Sequence, residues 1–443
     1  MMRTILTAFT ACCLLLLLPQ SKLFGQELLT IDDAILIGLE NNYGIQISRN
    51  VAEQADNNYS YGIYNFFPSV SVSASRSGQV SDSEFIAGGE ERSTSGARSS
   101  NMNAAVNLDW TLFDGFRMFA AYDQVGKLRD LSDKELRLNM ELLVANISFA
   151  YYNIIRINEQ LKILENNLEV SRERIEIEET KLDLGSGSEY DLLQARTDLN
   201  ADRAAYIRER NRLTESKIFL NELLSRRPAS EFTVTDAINV RRNLVREELY
   251  QKIVTENTEL AIARMQKDIA GLEIRQIRGE RYPEISLTSG YSFNRSENDG
   301  GFIRFNETTG FSIGVSARVS LFDGANITRR IQNARINERN ADLSLEMQKL
   351  RLESDFEAVY RSYLNAIELV DLEEENFLNA QQTLDIALER FRLGSISSLE
   401  FREAQRTFLQ AENRLINAKY DAKVAETELL QLSGELAMLF INR

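Results

Sequence analysis

The chain has 443 residues, with 66 acidic against 51 basic side chains, a formal net charge of −15, two cysteines and no histidine. Both cysteines, Cys12 and Cys13, lie in the first 25 residues, so the rest of the chain can build no disulfide, no Cys/His zinc site and no Ser-His-Asp triad. The acidic balance is the opposite of a nucleic-acid-binding face, and no cofactor motif is present.

Residues 1–25 read as a signal peptide: Arg3, an apolar core through Leu14–Leu18, then Pro19 and a short polar stretch. No cysteine stands at the expected cleavage site near Gly25 or Gln26, which excludes a lipoprotein reading. Beyond residue 26 no apolar run approaches the ~20 residues of a membrane helix. An exported chain of this kind is either soluble outside the cytoplasm or crosses an outer membrane as strands.

The remainder of the chain is one unit written twice. Residues 26–228 form the first copy: a helix, a strand pair at about 68–113, and a helical hairpin at about 115–226. A linker, 229–242, opens after Pro228. Residues 243–443 form the second, with a strand pair at about 283–322 and a hairpin at about 324–435. Leu112-Phe113-Asp114-Gly115 returns as Leu321-Phe322-Asp323-Gly324, and Leu184-Gly185-Ser186 as Leu393-Gly394-Ser395. Phe67-Pro68 returns as Tyr282-Pro283 at a shift six residues larger, so the second copy has the shorter intervening loop.

In each copy the strand segments alternate. Val70, Val72 and Ala74 alternate with serines, and Ala104, Val106, Leu108, Trp110 and Leu112 with Asn103, Asn107, Asp109 and Thr111. In the second copy Ile285, Leu287, Tyr291 and Phe293 alternate with polar neighbours. Phe311, Ile313, Val315, Ala317, Val319 and Leu321 do the same against Ser312, Gly314, Ser316, Arg318 and Ser320. One apolar and one small or polar face fit a lipid-facing barrel with a wet lumen. Val106, Leu108, Trp110, Ile313, Val315 and Val319 are the expected lipid-facing residues, and the polar stretches Gly78–Ser100 and Ser296–Thr309 the expected outer loops.

The helices carry a seam that alternates four- and three-residue steps. It runs Leu143, Ile147, Ala150, Ile154 onward to Leu182, and Leu352, Phe356, Val359, Tyr363 onward to Phe391; it resumes from Phe401 to Leu432. This is coiled-coil spacing, and Gly-Ser turns between the helices make antiparallel hairpins. A soluble coiled-coil spacer would share these helices, but the strands set it apart. Four strands cannot close a barrel and open edges cannot face lipid, so the pore must be shared between chains. Three copies give twelve strands; two give eight, which side chains would largely fill.

Over essentially its whole length after the leader the chain resembles the TolC-like outer-membrane efflux proteins. The likeness rests on Leu29-Thr30-Ile31-Asp32-Asp33-Ala34 with Leu39-Glu40-Asn41-Asn42, on the doubled Leu-Phe-Asp-Gly, and on Arg390-Phe391-Arg392-Leu393-Gly394-Ser395 continuing to Glu403-Ala404-Gln405-Arg406-Thr407. No single motif is specific; their doubled order is. The resemblance implies an α+β membrane protein: a homotrimeric 12-stranded β-barrel, four strands per chain, continuous with a long antiparallel coiled-coil tunnel in the periplasm of a Gram-negative bacterium. It implies a passive conduit rather than an enzyme, without cofactor or metal, working with a periplasmic adaptor and an inner-membrane pump. It also implies an acidic entrance ring at Glu400, Glu403 and Asp191, and adaptor docking at the tips, Gly185, Ser186, Leu393, Gly394 and Ser395.

Overall fold

The structure, a computed structural model, describes residues 27–234, 237–300 and 303–436. The expected leader, 1–25, lies outside the described residues. In chain order come β1 (Glu27–Leu28), α1 (Ile31–Asn41), α2 (Tyr43–Gly62), β2 (Ser69–Ala87), β3 (Glu90–Phe113), α3 (Arg117–Asp183) and α4 (Glu189–Leu223). Next are β4 (Phe232–Thr233), α5 (Arg246–Glu256), α6 (Thr258–Gly279), β5 (Glu284–Asn298), β6 (Phe305–Arg318), α7 (Asn326–Arg392) and α8 (Ser398–Leu432). α3 and α7 have 67 residues each, roughly 100 Å at 1.5 Å per residue, and α4 and α8 have 35 each.

The sheet is antiparallel in the order β2-β3-β5-β6, with the outer edges of β2 and β6 unpaired among the described residues. Beneath it α2, α3, α6 and α7 pack side by side in the same order, so the layer of strands passes into a layer of helices. The doubled Leu-Phe-Asp-Gly makes that passage. Gly115 and Phe116 have φ of 72° and 66°, and Gly324 and Ala325 have 67° and 64°, a pair of left-handed residues that swings the chain out of the sheet. The aspartate then caps the helix: Asp114 accepts from the Met118 N–H at 3.2 Å and Asp323 from the Ile327 N–H at 2.7 Å. At Gly115 a Cβ would stand 2.1 Å from the carbonyl oxygen of Gly279, so no other residue fits that crossing.

The seam residues, from Leu143 to Leu182, Leu352 to Phe391 and Phe401 to Leu432, are all buried or half-buried. Two acidic positions in the seam have partners: Arg414 reaches both oxygens of Glu373 at 3.0 Å, and Lys181 stands 3.9 Å from Glu178.

Midway along the hairpins α4 and α8 end, and a denser body forms around Leu29, Ile35, Val144, Tyr151, Ile154, Leu220 and Phe232. A second cluster holds Leu249, Ile253, Leu352, Phe356, Tyr363 and Leu429. Matched devices anchor both. Tyr151 donates to the Leu29 carbonyl at 2.8 Å and Tyr360 to the Leu244 carbonyl at 3.2 Å. Asn42 caps α2 and ties its amide to the Leu223 carbonyl at 2.9 Å; Asn257 caps α6 and ties its own to the Leu432 carbonyl at 3.1 Å.

Two expectations about the strands need correction. Residues 78–100 are not a loop: β2 runs on to Ala87 and β3 starts at Glu90, so they form a paired ribbon turning at Gly88-Gly89, and most of 296–309 is strand as well. Val319, expected to face lipid from within a strand, lies beyond β6. The ladder ends where Arg318 pairs with Glu284, the first residue of β5, so Val319 has no partner to hold it in the sheet.

Candidate functional site

Two regions carry the candidate chemistry: the sheet faces and the hairpin tips. Register across the sheet aligns Val70 with Leu108, Ser289 and Ile313; Val72 with Val106, Tyr291 and Phe311; and Trp110 with Leu287 and Val315. One face is thus largely apolar, with Ser289 the exception in these rows. The opposite face presents Ser71, Asn107, Gly290 and Ser312 in one row and Ser73, Ala105, Ser292 and Gly310 in another. Val106, Leu108, Trp110, Ile313 and Val315 therefore share the apolar face. Its far limit is a row holding Arg76, Met102, Arg295 and Glu307. From Ile285 to Phe293 the apolar rows span roughly 27 Å along the strand, or roughly 20 Å at the ~40° tilt of a barrel.

At the helical end of this face, beside Trp110, lies an aromatic girdle. Tyr61, Tyr64, Phe67, Phe116, Phe119, Tyr282 and Phe322 are all exposed. Trp110 satisfies its indole N–H on the Phe66 carbonyl at 2.8 Å while its ring stays on the apolar side. The signal was present in the runs Tyr59–Phe67 and Phe113–Tyr122, whose aromatic density flanks the strand ends.

The tips are a pair of Schellman turns. Gly185 (φ 74°) and Gly394 (φ 70°) take the left-handed position, and the Ser186 and Ser395 N–H groups return to the Lys181 and Arg390 carbonyls at 2.9 and 2.8 Å. The Ser186 and Ser395 hydroxyls bond the same carbonyls. Turn chemistry accounts for those four residues. It does not account for Leu184, Leu393 and Leu399, which are 77%, 81% and 77% exposed at the end of the molecule.

A cleft of about 880 Å³ separates the two tips, with Asp191, Ser186, Leu393 and Gly394 in its lining; Arg392 bridges it to Glu173 at 2.8 Å. Gly185 and Ser395 are not in that lining, nor are Glu400 and Glu403. Glu400 belongs to a capping box, accepting from the Ser397 N–H at 2.8 Å and the Ser397 hydroxyl at 2.9 Å, which holds its carboxyl below the usual range. Glu403 pairs with Arg406 at 2.7 Å. Among the described residues no group of three or more His, Cys, Asp or Glu is placed to hold a metal.

Behind the tips a polar bracket fastens the hairpins together. Arg402 on α8 grips both oxygens of Asp202 on α4 at 2.9 Å, and Ser171 on α3 donates to the same carboxylate at 2.7 Å. Arg174, only 3% exposed, donates to Asp198 at 2.7 Å and to the Ser398 hydroxyl at 3.0 Å. Gln405 donates to Asn167 at 2.7 Å and to Ser171 at 2.9 Å. The sequence did not single out the charged members, Arg174, Asp198, Asp202 and Arg402.

Comparisons with known proteins agree with this geometry. The family profile described as Outer membrane efflux protein matches residues 38–226 and 249–435. The Outer membrane protein TolC of Vibrio cholerae serotype O1 is 24% identical over 373 residues, covering 83% of this chain and 84% of its own. The Outer membrane efflux protein BepC of Brucella suis is 22% identical over 440 residues, covering 97% and 92%. The crystal structure of the Campylobacter jejuni CmeC outer membrane channel superposes with a TM-score of 0.76 at 16% identity, covering 91% and 85%. That likeness shows the fold, and the relatives bear the names of outer-membrane and efflux proteins rather than of enzymes.

Proposed function

This chain belongs to the outer membrane efflux protein family, and from that premise we propose that it is the outer-membrane subunit of a tripartite efflux or secretion system. Three copies close a twelve-stranded barrel above a helical tunnel, forming a passive conduit from periplasm to exterior. A periplasmic adaptor engages the tips, and an inner-membrane pump supplies the energy.

One observation carries the reading: a four-stranded sheet that is apolar on one face, wet on the other and open at both edges. No helix among the described residues is long and apolar enough to cross a membrane, so lipid contact falls to the strands. Unpaired edges cannot stand in lipid, so β2 of one copy must meet β6 of the next. The helical layer supports the same closure. Along α7, Ile336, Leu343, Leu350, Leu364 and Leu378 are exposed at separations of seven or fourteen residues, a second coiled-coil seam without a partner among the described residues. The equal lengths of the two hairpins support an origin by internal duplication.

At the entrance, threefold repetition of Asp191, Glu400 and Glu403 places negative charge around the opening and favours cations. Asp191 is the least engaged of the three. The adaptor's contacts centre on Leu393, with Gly185, Ser186, Gly394 and Ser395 shaping the turns that present it.

The test uses the absence of cysteine outside the leader. Ser395→Cys and Ser186→Cys proteins are crosslinked in intact cells and the captured species identified by mass spectrometry. Capture of a periplasmic adaptor is the expected result. Blank captures from both positions, with the protein present as outer-membrane trimers, would contradict a tripartite assembly. A salt-soluble periplasmic monomer would contradict the channel itself.

A further inference from the structure

The two strand-to-helix junctions are built differently. The first is the richer in aromatic rings, whereas in the second Arg275 and Arg278 on α6 are exposed and make no ion pair among the described residues. With Tyr59, Tyr122, Lys127 and Arg129 they line a cleft of about 720 Å³ between α3 and α6. Lys127 is tied to Asp268 at 3.5 Å and Arg129 to Asp130 at 2.7 Å. Arg129 also lies 4.3 Å over the Tyr59 ring, which stacks on Tyr122 at 5.1 Å. Five cations face four carboxylates around the cleft, so it offers directed donors rather than a long-range field.

Ring contacts fix which side of the layer the cleft opens on. Phe113 is the register partner of Ile285, on the apolar face of the sheet. From Phe113 the rings run through Phe116, Phe119 and Phe66 to Tyr122 at centroid distances of 5.1, 6.2, 5.2 and 5.8 Å. An unbroken run of rings joins the apolar face to the cleft, which therefore opens on the lipid side. Tyr122 stands five residues into α3, roughly 8 Å below the sheet. The headgroup zone of a bilayer is roughly 5–8 Å deep on each side.

We infer that this cleft binds the phosphate of an anionic phospholipid in the periplasmic leaflet. Arg275 and Arg278 donate to the phosphate oxygens, for which the planar guanidinium fork is suited. The tyrosine pair lies against the glycerol region, where aromatic rings favour the boundary between apolar and wet. One such site per chain would fix the depth at which the barrel sits. The inference rests on the barrel reading given under the proposed function.

The experiment is native mass spectrometry of the detergent-purified full-length trimer, titrated with phosphatidylglycerol and, separately, phosphatidylethanolamine. An R275Q/R278Q protein is compared with an R335Q/R339Q protein, which loses the same charge from exposed α7 positions outside the cleft. Wild type and the α7 variant are expected to bind phosphatidylglycerol in preference to phosphatidylethanolamine. The R275Q/R278Q protein is expected to bind it roughly tenfold more weakly, about the loss of one or two charge-assisted hydrogen bonds. Undiminished binding by R275Q/R278Q, or equal binding of the two lipids, overturns the site. Displacement of the lipid by millimolar inorganic phosphate makes it a free-phosphate site and overturns the lipid assignment. If the wild type forms no membrane-associated trimer, the channel reading fails first; if it does and only the variant result disagrees, this inference alone fails.

Discussion

The two helical hairpins have the same lengths and related seams, yet they are buried very differently. α3 hides twenty residues and α7 twelve, because α3 lies inside the layer, flanked by α4, α6 and α8, while α7 stands at its edge. Two helices of equal length therefore differ in burial: one packs into the body of the chain, the other keeps an exposed apolar stripe. If the stripe serves the proposed trimer, mutations there should separate assembly from stability.

The sharpest way to break the comparison is to charge the bare stripe. Leu343→Arg with Leu350→Arg should abolish the trimer while leaving the helical circular-dichroism signal intact; a trimer that survives would show the stripe unused. Next in size is the bracket between the hairpins. Arg402→Met strands the Asp202 carboxylate and should destabilise by about 3 kcal/mol, read as a fall in thermal midpoint. A change under about 0.5 kcal/mol would mean that the hairpins hold together without it. The paired tyrosines sharpen the contrast further. Tyr151→Phe, in the fully buried copy, should destabilise by about 1 kcal/mol or more, and Tyr360→Phe, half-buried with a longer bond, by only a few tenths. Equal losses would argue that the copies are energetically alike.

The smallest effect depends on pH. Burial, reinforced by the Glu159 carboxylate, raises the Glu412 carboxyl to about 7 on the face of α8. Its folded value lies above its unfolded one, so the protonated group fits the fold and stability falls as pH rises through about 7. Glu412→Gln should raise the thermal midpoint at alkaline pH and have no effect well below the ordinary carboxylate value, where both forms are neutral. A gain independent of pH would contradict the cause. Glu400 has the opposite sign: its lowered value means that the capping box supports α8 above the carboxylate range and releases it as the pH falls through that range.

What could be read from residues alone was whatever repeats with a short period. Val and Ser alternating along Ser69–Ser75 declare a two-faced strand, and four-three steps from Leu352 to Phe391 declare a seam. The 78–100 ribbon reads as a loop because it is mostly polar and keeps no regular alternation, and only the pairing of β2 with β3 makes it strand. The bracket was invisible for another reason. Arg174, Asp198, Asp202 and Arg402 each look like an ordinary solvated helix charge, and the two arginines meet their network across two hundred or more residues of sequence. The three carboxylates expected at an entrance read as one set, but packing divides them: Asp191 lines the cleft, Glu400 caps a helix and Glu403 pairs along its own helix.

The most direct test of the channel reading compares two neighbouring residues on opposite faces of β3. In intact cells, Asn107→Cys and Leu108→Cys proteins, with Cys12 and Cys13 replaced by serine, are exposed to a membrane-impermeant maleimide. Labelling at position 107 with protection at position 108 is the predicted result, placing a wet lumen on one side of the sheet and lipid on the other. Equal labelling at both positions would mean a sheet bathed in water on both faces, and would contradict the barrel.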